Sequence, residues 1–222
     1  MEIIRLSPKS SGKIRYSIGD VYLRKGDVHQ AIPLLERGLE VCRIWDLPLL
    51  LYLNSSALGY AYVLAGRVSD ALPLLEQSVS TEARGIMRGR AHVWLSEAYL
   101  RLGRCDEALA VAVRGLELCR AHAQQGEQAW ALRLLGEIHA HRHPPQVELA
   151  EIAYREALAL AEALGMRPLQ AHCHRGLGTL YATSGPREQA RTELSTAIAM
   201  YQSMEMTFWL PQTETALAQV EA

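Results

Sequence analysis

LGYAYVLAGRVSDALPLL, residues 58–75, decides how this chain is read. A leucine precedes a small residue, Gly59. An aromatic, Tyr62, follows three positions on, then Gly66 and Ala71. The pattern recurs in IGDVYLRKGDVHQAIPLL (18–35), LSEAYLRLGRCDEALAVA (95–112), LGEIHAHRHPPQVELAEIAY (135–154) and LGTLYATSGPREQARTEL (177–194). The small residues are Gly19, Gly59, Ser96, Gly136 and Gly178, spaced 40, 37, 40 and 42 residues apart. The aromatic positions hold Tyr22, Tyr62, Tyr99, His139 and Tyr181. Gly26, Gly66, Gly103 and Gly185 come four positions later, His143 breaking the series, and then Ala31, Ala71, Ala108, Ala150 and Ala190.

Each segment reads as a helical hairpin. The small residue admits a partner helix at close range, and the preceding leucine and following aromatic share a buried face. The later glycine ends the first helix in a left-handed conformation. Asp27, Ser69 and Asp106 follow it, where they are expected to cap the second helix. The alanine marks the crossing, where space is short. One hairpin cannot bury its own apolar faces, whereas a stack of five can.

The five segments resemble the tetratricopeptide repeat, whose shorter unit carries L-G-x-x-Y and a later alanine. The resemblance implies an all-α, right-handed α-α superhelix of five hairpins. The expected repeats cover about 12–44, 48–82, 88–123, 127–164 and 168–204 of a single domain spanning 1–222. WDLP (45–48), LGMRP (164–168) and the stretch around Gly85 and Gly89 punctuate them. HPPQ (143–146) lengthens the fourth turn. Pro33 and Pro73 each remove one hydrogen bond from a second helix. Pro211 enters a final helix, 211–222, expected to cap the stack.

Bulk properties exclude other classes. A formal charge of −1 gives no basic excess for phosphates, so no direct nucleic-acid contact is expected. No apolar run approaches a membrane span, and MEIIRLSPKSSGK lacks a signal-peptide core, so a cytoplasmic setting is expected. Cys42, Cys105, Cys119 and Cys173 form no C-x-x-C pair. Phosphate loops, nucleophile elbows and H-E-x-x-H helices are missing from the sequence, so it reads as non-catalytic and without a cofactor. His139 and His143 would share a helical face and could hold a metal, but His139 takes a buried aromatic position and His143 ends its helix, so no metal site is expected.

The repeat family lines its concave surface with first helices. By that pattern the groove candidates are Lys13, Tyr16, Asp20, Tyr60, Arg90, Glu97, Trp130, Arg133, Glu137, His172 and Arg175. Asp, Tyr or Glu stands where carboxylate-clamping members carry Asn, so a chaperone-tail clamp is not expected. Arg133 and Arg175 are the expected anchors for an acidic group, a guanidinium being a two-pronged donor. The competing reading makes these charges a solvated face with i,i+4 pairs such as Arg133–Glu137. The C-terminal stretch from LGMRPLQAHCHRGLG onward, with WLSEAYL and QAWALRLLGEIHAHR, is similar to the repeat region of large bacterial ATPase, class III nucleotidyl cyclase and transcriptional regulators. That implies a signalling scaffold for a protein or peptide, or else a sensor of a small inducer. The outer face of the first repeat lacks a polar cap, which is compatible with self-association.

Overall fold

The computed structural model describes residues 7–80 and 88–222, and every regular element among them is helical. The chain forms two compact units, Met1–Gly85 and Ile86–Ala222.

The first unit holds two hairpins, α1 (Pro8–Lys25) with α2 (Val28–Ile44), and α3 (Pro48–Leu64) with α4 (Val68–Ser80). The second holds three, α5 (Arg88–Arg101) with α6 (Cys105–Ala121), α7 (Gln125–His141) with α8 (Val147–Ala163), and α9 (Arg167–Ser184) with α10 (Arg187–Ser203). A 3-10 turn, Thr207–Trp209, then leads into α11 (Leu210–Glu221). Within each unit a second helix packs on the next first helix: α2 on α3, α6 on α7, α8 on α9.

The small positions do what the sequence requires of them. A Cβ on Gly19 would lie 2.8 Å from the Leu35 side chain, one on Gly59 2.7 Å from Leu75, and one on Gly178 2.6 Å from Leu194. Ser96 uses its hydroxyl instead, donating to the Ala108 carbonyl at 2.7 Å. All five crossing alanines are fully buried. Gly26, Gly66, Gly103 and Gly185 end first helices with φ between 73° and 119°, a conformation that penalises any residue bearing a Cβ.

Four local expectations need correction. Asp27 caps α2, accepting from the Gln30 amide at 3.3 Å, but Ser69 and Asp106 lie inside the first turns of α4 and α6. Those helices start two residues earlier than the cap pattern suggests. Residues 8–12 are already helical, because Ser7 accepts from the Ser10 amide and Pro8 opens α1. Gly89 belongs to α5 rather than to a junction and gives room to Cys119. Gly85 falls outside the described residues. Finally, α7 stops at His141, so His143 lies in the 142–146 turn and shares no helix with His139. His139 is half-buried, its Nδ1 2.7 Å from the Gln146 side chain.

Candidate functional site

In the second unit, α7, α8, α9 and α11 enclose an open cavity of about 360 Å³. Four of the sequence-derived candidates line it: Arg133 and Glu137 from α7, His172 and Arg175 from α9. Their spacing, four residues on α7 and three on α9, puts each pair on one face.

Arg133 is 5% exposed and bonds two carboxylates, Glu97 of α5 at 3.2 Å and Glu137 at 2.5 Å. Glu97, also buried, lies 3.6 Å from Arg101. The expected i,i+4 pair therefore exists, and it is one arm of a network joining α5 to α7. Burial alone would raise the Glu137 carboxyl. The guanidiniums of Arg133, Arg175 and Arg101 outweigh that and hold it at about 2.

Arg175 has a different environment. Its guanidinium donates to the Gln212 side-chain oxygen at 3.1 Å and sits 5.5 Å over the Trp209 ring. Among the described residues no carboxylate is ion-paired with it. Arg133 is engaged by two carboxylates, so among the described residues Arg175 is the cavity arginine with no ion-paired carboxylate of its own.

An aromatic cluster packs around His172, which lines the cavity. His172 is buried, with Nδ1 2.7 Å from the Tyr201 hydroxyl and its ring 4.7 Å from Trp209 and 5.5 Å from Trp130. Burial depresses its pKa well below the ordinary histidine value, and Arg175 and Arg133 add to the effect. The imidazole is therefore a neutral wall. Tyr154 closes the cavity from α8; burial pushes its hydroxyl up, and Glu137 pushes in the same direction.

The remaining candidates lie elsewhere. Arg90 reaches from α5 to Glu127 of α7, its Nε 2.8 Å from the carboxylate. Trp130 is half-buried behind His172, 5.7 Å from the Arg133 guanidinium. Lys13, Tyr16 and Asp20 are on α1 and Tyr60 on α3, in the first unit; Asp20 pairs with Arg24 at 3.0 Å. The sequence reading omitted Tyr154 and Gln212 from the site. Tyr154 had a signal: it stands where other repeats carry Leu35, Leu75, Ala112 and Leu194. Gln212 had none, since α11 reaches the cavity only through tertiary packing.

The thiols offer no reactive centre at this wall. Burial pushes Cys173 up to about 12 and Cys119 to about 11, so neither supplies a thiolate at neutral pH. Among the described residues no group of three potential ligands could hold a metal ion. No described helix is long and apolar enough to cross a membrane.

Family models of the tetratricopeptide repeat match residues 15–44 and 56–123. No curated protein matches the sequence. Among solved structures, BtubC (BKLC) from P. vanneervenii superposes with a TM-score of 0.65 at 22% identity, over 87% of this chain and 82% of its own. The Rap protein complexed with competence and sporulation factor gives 0.78 at 14% identity, over 97% of this chain and 64% of its own. A signal transduction ATPase with numerous domains, carrying a tetratricopeptide repeat sensor and coming from Pyrococcus horikoshii, gives 0.63 at 19% identity, over 91% and 31%. Likeness at these identities is likeness of fold.

Proposed function

This chain is a tetratricopeptide-repeat protein, and on that premise we propose that it is a non-catalytic scaffold binding a peptide or partner protein on its first-helix surface, within a bacterial signalling or regulatory system. Its anchor is the cavity of the second unit, which takes an acidic group of the partner. The observation that carries this reading is Arg175, a cationic donor at the edge of a cavity whose other arginine is already neutralised. A guanidinium held by Gln212 over an indole is oriented before the partner arrives, which lowers the cost of ordering it on binding. The neutral His172 ring and the Tyr154 ring that line the cavity suit the apolar part of the same segment. The Rap protein, which shares this fold and was solved in complex with competence and sporulation factor, supports such a role.

The cavity volume favours a second reading, that of a small-inducer sensor, because about 360 Å³ falls within the ~300–1,000 Å³ of small-molecule sites.

A displayed peptide library panned against the whole chain tests the first reading. Selected peptides are expected to share an aspartate, glutamate or free C-terminal carboxylate beside an apolar residue. Arg175→Glu, with unchanged circular dichroism, is expected to weaken them about tenfold or more, a loss of ~1.4 kcal/mol. Failure to select any peptide, or equal affinity for the variant, overturns it. Thermal-shift screening of anionic metabolites addresses the sensor reading, since a ligand that binds only the folded state raises Tm.

A further inference from the structure

Packing leaves two polar groups over at the cavity of the second unit. Tyr154 and His172 both line it and are only 3% and 5% exposed. The Tyr154 hydroxyl has no hydrogen-bond partner among the described residues, and His172 has one, through Nδ1 alone. A buried polar group without a partner costs stability, and folded proteins keep few of them.

The proton on His172 is placed by its neighbour. Tyr201 is fully buried, and its hydroxyl meets one described partner, Nδ1 of His172 at 2.7 Å. The hydroxyl therefore donates to the Nδ1 lone pair; if Nδ1 were the donor, the Tyr201 proton would have no acceptor. Burial keeps the ring neutral, so its single proton is on Nε2. Tyr201 is not among the residues that line the cavity, and the ring edge opposite Nδ1, which carries Nε2, is the one turned to it.

Glycine directs Tyr154. Its Cζ, which bears the hydroxyl, lies 2.6 Å from where a Cβ on Gly176 would stand, whereas Gly136 faces Cγ and the Cδ atoms. The hydroxyl end thus lies beside Gly176, which lines the cavity next to Arg175. Thr179 and Thr183 direct their protons to the backbone carbonyls of Arg175 and Leu180, at 2.9 and 2.8 Å, and add no donor.

We infer that the Tyr154 hydroxyl, the His172 Nε2–H and the Arg175 guanidinium form one donor set for a carboxylate. The inference rests on the acidic-anchor reading and narrows it to carboxylate over phosphate. A carboxylate has two oxygens that accept from several donors at once. A phosphomonoester carries about two negative charges at neutral pH, and the second would face Glu137, which lines the same cavity. Tyr201 is a positioning residue that holds the tautomer and does not touch the ligand.

NMR titration of the full chain with N-acetylleucine, its amide, phenyl phosphate and a hexapeptide ending in a free leucine carboxylate reads this chemistry. Both carboxylates are expected to bind, the amide not at all, and phenyl phosphate about tenfold more weakly or worse. Tyr154→Phe is expected to weaken carboxylate binding about tenfold while urea stability holds or rises, since the unpaired hydroxyl is gone. Nitrogen NMR of the histidine-labelled chain is expected to place the His172 proton on Nε2, and Tyr201→Phe to mix the tautomers. Phenyl phosphate binding as tightly as the carboxylates, a proton on Nδ1, or unchanged affinity in Tyr154→Phe overturns the inference. Binding lost in Arg175→Glu but intact in Tyr154→Phe sinks the donor set and leaves the acidic anchor standing. Tighter binding of the hexapeptide than of N-acetylleucine assigns the carboxylate to a chain end, and equal binding to a small acid; both support the donor set.

Discussion

The Tyr154 ring lies against the backbone of Gly176, where no side chain intervenes between α8 and α9. The same ring faces Gly136 of α7, on which a Cβ would come within 2.8 Å of it. Two glycines on neighbouring first helices thus make room for one tyrosine at a position that holds leucine in three of the other repeats. The tyrosine in turn forms a wall of the cavity.

Gly176→Ala is therefore expected to destabilise the second unit. Helix propensity favours alanine by ~1 kcal/mol, but a methyl forced into a rigid ring costs more, typically ~1–3 kcal/mol for overpacking. Urea denaturation should show a net loss, and Tyr154→Leu in the same chain should reverse most of it. A Gly176→Ala protein as stable as the parent would show that α8 and α9 can separate freely.

Arg133→Met is expected to be among the most damaging single changes. It leaves the carboxylates of Glu97 and Glu137 facing one another without their shared cation. Removing one partner from a buried ion pair costs ~3–5 kcal/mol. Adding Glu97→Gln and Glu137→Gln to the same chain should recover stability, because the uncompensated charge is then gone. Denaturation midpoints of the single and triple variants decide it.

Glu137 links stability to acid. Its folded pKa of about 2 lies below the ~4.3 of an unfolded glutamate, so the unfolded chain binds the proton more readily. The stabilisation is complete above ~4.3 and is lost as the pH falls toward 2. Glu137→Gln should flatten the stability profile across that window relative to the parent, measured by chemical denaturation at successive pH values.

His172 acts in a higher window. Its folded pKa is depressed, while the unfolded residue titrates near ~6.5. Below that pH the unfolded chain takes up a proton that the folded imidazole refuses, so stability declines as the solution is acidified. His172→Asn should remove this component of the decline between ~6.5 and 5. In the parent, the His172 ring resonances should not move as the pH is lowered through 6; a titration there would contradict the buried neutral ring.

Gly59→Leu probes the first unit in the same way. A Cβ alone would lie 2.7 Å from Leu75, so a full leucine must separate α3 from α4. A loss of at least ~1–3 kcal/mol is expected by urea denaturation.

The hairpins were legible because they rest on local and periodic features. Gly19, Gly59, Gly136 and Gly178 each sit one crossing away from a specific bulky side chain, and the residue type at the notch follows from sterics alone. The helix-ending glycines were legible for the same reason, since a positive φ disfavours a residue bearing a Cβ. The caps at Ser69 and Asp106 were misplaced because helix starts shift by one or two residues at little energetic cost, here by two.

The site was legible only in part. That Arg133, Glu137, His172 and Arg175 would share a surface followed from their repeat positions. Which arginine would be neutralised did not, because Glu97 lies 36 residues from Arg133 in sequence and meets it only when α5 packs on α7. Gln212 reached Arg175 through the packing of α11, which no repeat pattern anticipates. The five-fold recurrence of notch, aromatic and alanine was enough by itself to specify paired helices and their class, since those residues act through size and backbone freedom. Charge state, cavity and anchor were left to the tertiary structure, because electrostatic balance depends on which side chains the packed helices bring within a few ångströms.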